Sequence, residues 1–125
     1  MPRVMIGKAS IAVYAFPACA QGPMTHYEFD LSDFRDPLGN KNLMSQCKHG
    51  SDDKVKVWIK TDPRYPTILN QCIILAKDSE KRGIKWLTLG FKDYHGIWKS
   101  GAVAELIGDE LGELGFDVAV IHVGN

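Results

Sequence analysis

The chain carries no excess of either charge, no paired cysteine motif and no long apolar run. Fifteen basic side chains balance fifteen acidic ones in 125 residues, which removes the simplest argument for a nucleic-acid binder, since contact with a phosphate backbone usually needs a surplus of Lys and Arg. Three cysteines, Cys19, Cys47 and Cys72, stand far apart and form no CxxC pair. That argues against a disulfide scaffold and for a reduced, cytoplasmic protein. No apolar segment approaches the roughly 18 residues of a membrane span, and the start Met1 to Lys8 is too short in apolar residues for a secretory signal. No membrane partner is expected.

What is present suits one domain over residues 1–125. Hydrophobic residues make up 45% of the chain, and a chain of this size can bury about two-thirds of the surface it exposes when unfolded. Two apolar runs, Ile11 to Phe16 and His26 to Leu31, are rich in β-branched and aromatic residues and predict strands, while Arg3 to Ile6 suits an extra edge strand. Residues 32–50 have little hydrophobic content and read as an irregular loop.

Three helices are expected after that loop. Ser51 opens one in which Val55, Trp58 and Ile59 recur at helical spacing until Pro63. A longer one has Pro66 in its first turn, Leu69, Cys72, Ile73 and Ala76 on its apolar face and Gly83 as its stop. The strand Ile84 to Gly90 follows, then a turn-rich stretch from Phe91 to Lys99. The third helix places Val103, Leu106, Ile107, Leu111 and Leu114 on one face and ends at Gly115; Gly108 and Gly112 suggest close packing on a sheet, and Glu105, Asp109 and Glu113 form an acidic, solvated stripe. The nearly continuous apolar run Phe116 to Val123 reads as a parallel strand covered on both faces. This order predicts a layered α/β/α domain with a mostly parallel sheet of about four strands.

In open α/β sheets, ligands bind beyond the carboxyl ends of the strands. That rule selects Ser32, Asp33, Arg35 and Asp36 after the second strand. After the third it selects Lys92, Asp93, Tyr94, His95, Gly96, Lys99 and Ser100, and after the last Asn125. The segment Gly90 to Ser100 has the outline of a phosphate loop, a strand, a glycine-containing turn and Lys-Ser at a helix start. It is not a Walker A, because Ile97 and Trp98 separate Gly96 from Lys99. Amides at a helix start still attract anions. Arg35, set among carboxylates, either clamps a ligand or fixes its own loop through an Arg–Asp pair. His95 could donate to an anion or shuttle a proton. Cys47 and His49 lack a second ligand pair, so no metal site is expected. No acyl-transfer motif is present, and no cofactor is called for.

The pattern resembles the C-terminal domain of RapZ, a bacterial adaptor that senses glucosamine-6-phosphate and presents a small RNA to an endoribonuclease. Tyr14-Ala15-Phe16-Pro17, Phe29-Asp30-Leu31 and Phe34-Arg35-Asp36-Pro37 are similar to that domain's first strands and loop, and Gly90 through Ala104-Glu105 stands at its Gly-rich, Arg-Ser-containing signature. Gly96 matches a glycine and Lys99-Ser100 stands at the Arg-Ser pair. Phe91 to His95 replace Cys and Gly-Gly, the segment is two residues longer, and Trp98 holds the family's His position.

The likeness covers about residues 10 to 124 and does not extend to the adaptor's P-loop kinase-like domain, so no ATP-dependent activity is implied. It implies a non-enzymatic, self-associating module that binds a small phosphorylated or anionic ligand and signals to a protein or RNA partner. Asp30, Lys99 and Ser100 would be pocket residues; Arg35, Asp36, Lys92, His95 and Gly96 complete the candidate set. Two other readings stand beside this one: a phage-type module acting on a host protein with a degenerate pocket, and a small phosphoester hydrolase or transferase using His95.

Overall fold

Strand β1 (Ser10–Pro17) takes the centre of the sheet because its residues are apolar on both faces: Ile11, Val13 and Ala15 point one way, Ala12 and Phe16 the other, and all five are buried. The computed structural model describes residues 10–17, 22–35, 40–46, 53–93 and 99–123. The remaining elements are β2 (Tyr27–Asp30), α1 (Lys41–Met44), α2 (Asp53–Lys60), α3 (Arg64–Lys81), β3 (Trp86–Asp93), α4 (Lys99–Glu113) and β4 (Asp117–His122). The strand order is β2-β3-β1-β4, with every pair parallel. This is a layered α/β domain, consistent with an α/β/α arrangement.

Parallel register stacks like residues into the core. Ile11, Val13 and Ala15 pair with Leu87, Leu89 and Phe91 on one side, and Ile11 and Val13 pair with Val118 and Val120 on the other. Phe29 of β2 pairs with Phe91, and their rings stack at 5.2 Å. Helix α4 lies on this face, burying Val103, Leu106, Ile107 and Leu111. Its close approach depends on Gly108, where a Cβ would meet Val120 Cγ2 at 2.6 Å. Gly112 has nothing within 4 Å of such a Cβ, so the packing role expected of both glycines belongs to Gly108. On the opposite face, Thr25 lies against Gly90, with its Oγ1 3.0 Å from a Cβ built there.

The helices α2 and α3 bury the residues their spacing predicts, Val55 and Ile59 in the first, Cys72 and Ala76 in the second. Helix α3 ends at Gly83, whose φ of 75° only glycine adopts without strain, and Gly115 does the same after α4 at 98°.

Four expectations are corrected. The loop after β2 contains a short helix, α1, capped by the Asn40 side chain, which accepts from the Leu43 amide at 3.1 Å. Strand β3 does not stop at Gly90: pairing continues through Phe91, Lys92 and Asp93 because β1 runs on to Pro17 opposite them. Leu114 lies past the end of α4 and is 39% exposed. Strand β4 is at the edge of the sheet among the described residues, with Asp117, Ala119, Ile121 and His122 exposed, and is not covered on both faces. Its Ala119 and Ile121 lie on the face away from α4, so an apolar run did not signify a central position. The expected edge strand from Arg3 to Ile6 lies outside the described residues.

Candidate functional site

The carboxyl ends of β2 and β3 meet at one corner of the sheet. Asp30, the last residue of β2, is in register with Lys92 of β3, and the Leu31 amide donates to the Lys92 carbonyl at 2.8 Å. Asp30 accepts from both the amide and the hydroxyl of Ser32, at 3.0 and 2.5 Å. The Ser32 hydroxyl and then its amide hold the Asp30 carboxyl below the usual carboxylate range; burial opposes them, and Lys92 and Lys99 add lesser attraction. Lys92 also pairs with Glu28 at 3.1 Å.

Asp93 faces the other way, towards α4. Its buried carboxylate accepts from the amides of Lys99 at 2.9 Å and Ser100 at 3.1 Å and lies 3.5 Å from the Ser100 hydroxyl. An internal carboxylate thus occupies the helix-start amides at Lys99 and Ser100, which the sequence suggests for an external anion. The Lys99 ammonium is committed as well. It reaches back across the corner and donates to the carbonyls of Phe34 at 3.2 Å and Ser32 at 3.4 Å. These contacts fasten the loop after β2 to the start of α4.

Arg35 turns away from this corner. Its backbone amide donates to Asp62 Oδ2 at 2.7 Å, its guanidinium bonds the Thr61 hydroxyl, and its plane lies 4.8 Å from the centre of the Trp58 ring. The Arg–Asp pair of this loop is with Asp62, 27 residues downstream: its Oδ2 accepts from the Arg35 amide and lies 3.9 Å from Arg35 Nε. Asp36, His95 and Gly96 lie outside the described residues, as do Tyr94, Trp98, Cys47, His49 and Asn125. The structure therefore brings Asp30, Lys92 and the Lys99 ammonium to one corner, buries Ser100 against Asp93 on the α4 side, and sets Arg35 beside the corner.

Another polar cluster stands across the sheet. His122, at the end of β4, bonds Glu105 at 2.8 Å, and Lys56 of α2 bonds the other Glu105 oxygen at 2.7 Å. Contact with Glu105 holds the Lys56 ammonium above its usual range against partial burial. Glu105 is therefore a tethered group joining three elements, not part of a solvated stripe. The signal for this lay in contacts between distant elements, which helical spacing does not display.

Among the described residues, a separate groove of about 270 Å³ opens beside β2, lined by Tyr27, Glu28, Phe29, Gln71, Ile74 and Leu75. It runs along β2, and its Glu28 is the residue that pairs with Lys92 of the corner. No described helix is long and apolar enough to cross a membrane.

No protein-family profile matches the chain. A curated protein of Cereibacter sphaeroides, named a nucleotide-binding protein, is 31% identical over 98 residues, 75% of this chain. The match takes in 32% of that relative, so the chain spans about a third of its length.

Proposed function

We propose that the chain is a non-enzymatic binding module, like the C-terminal domain of RapZ, that takes a small phosphorylated or anionic metabolite where β2 and β3 end. The observation that carries this reading is the corner itself. Lys92 stands in register with Asp30 on the neighbouring strand, and Lys99 of α4 reaches the Ser32 and Phe34 carbonyls beside it and holds the loop in place. Mixed charge of this kind suits a ligand with an anionic group and hydroxyl or amino groups. The nucleotide-binding name of the bacterial relative also supports a small phosphorylated ligand. In this reading Lys92 meets the anion and Asp30 meets hydroxyl or amino groups, with Ser100, His95 and Gly96 the further candidates that the sequence offers. A cytoplasmic protein or RNA partner would respond to the liganded state, and self-association belongs to the same proposal.

Lys92 is the residue to probe, because the buried Lys99 also secures the loop. Thermal unfolding of wild type and Lys92→Gln with glucosamine-6-phosphate, nucleoside monophosphates and their unphosphorylated counterparts tests the reading. The phosphorylated compounds should raise the wild-type midpoint and leave the variant unmoved. Equal shifts in both proteins would place the ligand elsewhere.

One observation favours a second reading, a protein-interaction module of the kind a phage could direct at a host protein. Ile74 and Tyr27, exposed to 59% and 41%, border the apolar groove beside β2. If protein contact at this face is the function, Ile74→Glu should abolish binding to a purified partner, and no phosphorylated metabolite should stabilise the chain.

A further inference from the structure

Asp62, between α2 and α3, is 1% exposed and organises two arginines from different segments. Its Oδ2 accepts from the Arg35 amide at 2.7 Å, with Arg35 Nε 3.9 Å away. Its Oδ1 accepts from the Arg64 amide at 2.9 Å and the Arg64 guanidinium at 3.1 Å. A carboxylate offers about four lone-pair sites, and this one is nearly filled.

The two guanidiniums are not exhausted in the same way. Each arginine side chain is 49% exposed. A guanidinium carries five N–H donors, of which Arg64 gives one group to Asp62 and Arg35 one to the Thr61 hydroxyl. Among the described residues that meet here, two positive charges face the one negative charge of Asp62. Arg35 is also held against Trp58, so part of the entropy cost of fixing its fork has been met before any ligand arrives. Arg64 opens the 18-residue helix α3, and the Asp62 carboxylate that accepts its amide already supplies the negative charge this helix end favours. What an added oxyanion would take up is the remaining N–H groups of the two exposed forks.

We propose that Arg35 and Arg64, presented by Asp62, form an oxyanion site for phosphate or a phosphate monoester. The site stands beside the corner of β2 and β3 but does not depend on a ligand there. Planar guanidinium forks match the oxygens of a phosphate better than point charges do.

The test follows the arginine Nε–Hε nuclear magnetic resonance signals while inorganic phosphate is added at constant ionic strength, with chloride as the control anion. The Arg35 and Arg64 signals should move together and saturate with phosphate only. Arg64→Gln should weaken the response at Arg35 about tenfold, while Lys92→Gln leaves both responses intact. Arg64→Lys, which keeps the charge and loses the fork, should fall between wild type and Arg64→Gln. Absence of a saturable shift in wild type, or an Arg35 response unchanged in a folded Arg64→Gln protein, overturns the proposal. Loss of the response in Lys92→Gln also overturns it, by assigning the anion to the corner. Failure of the corner to bind any metabolite would leave the arginine result unaffected.

Discussion

The Asp93 carboxylate accepts from the Ser100 amide at 3.1 Å, and through this contact the last residue of β3 caps the first turn of α4. The Lys99 amide joins the same carboxylate at 2.9 Å. The helix start therefore carries its own anion. An external ligand at this end of the sheet is left with side chains such as Lys92 and Asp30, not with those two amides.

Asp93→Ala should lower stability by about 2 kcal/mol, because two buried amides lose their acceptor. Asp93→Asn should cost less, since a side-chain carbonyl can still cap. Urea unfolding of the two variants checks the order; an unchanged midpoint for the alanine variant would contradict the capping role.

Asp62 ties stability to acid. Burial pushes its carboxyl up, but the amides of Arg35 and Arg64 and the Arg64 guanidinium more than offset this and hold it below the usual range. A depressed carboxyl stabilises the fold above the unfolded value of about 3.9, and this contribution fades as pH falls through the folded value. Asp62→Asn should therefore cost about 2 kcal/mol at neutral pH, and the gap to wild type should narrow as pH falls below about 3.9. A constant gap across the acid range, read from urea unfolding at a series of pH values, would contradict this.

The two glycines of α4 should respond oppositely to alanine. At Gly108 a methyl group would lie 2.6 Å from Val120 Cγ2, so overpacking of about 1–3 kcal/mol should outweigh the gain in helix propensity. At Gly112 nothing stands within 4 Å, and alanine should stabilise by about 0.5–1 kcal/mol. Thermal unfolding of both variants distinguishes them; destabilisation at Gly112 would show that its surroundings are misjudged.

Much of the fold was legible because local pattern and packing agree. Val55 and Ile59, or Cys72 and Ala76, recur at helical spacing and are buried as that spacing requires. Pairing partners were not legible. The extension of β3 through Lys92 and Asp93 depends on β1 continuing to Pro17, and the edge position of β4 depends on strand order, which an apolar run does not encode. The corner could be anticipated as a place because parallel strands end together. Its internal chemistry could not: Lys99 finds carbonyls more than sixty residues away, at Ser32 and Phe34, and Arg35 finds Asp62 across α2. Such contacts come from packing, whereas short motifs record only neighbours along the chain.

The most direct test of the proposed binding role is a backbone amide shift map recorded with the phosphorylated metabolite that most raises the unfolding midpoint. The largest perturbations should fall at Leu31, Ser32 and Lys92, with saturation that disappears in Lys92→Gln. Perturbations confined to Tyr27, Gln71, Ile74 and Leu75, along the apolar groove, would contradict it.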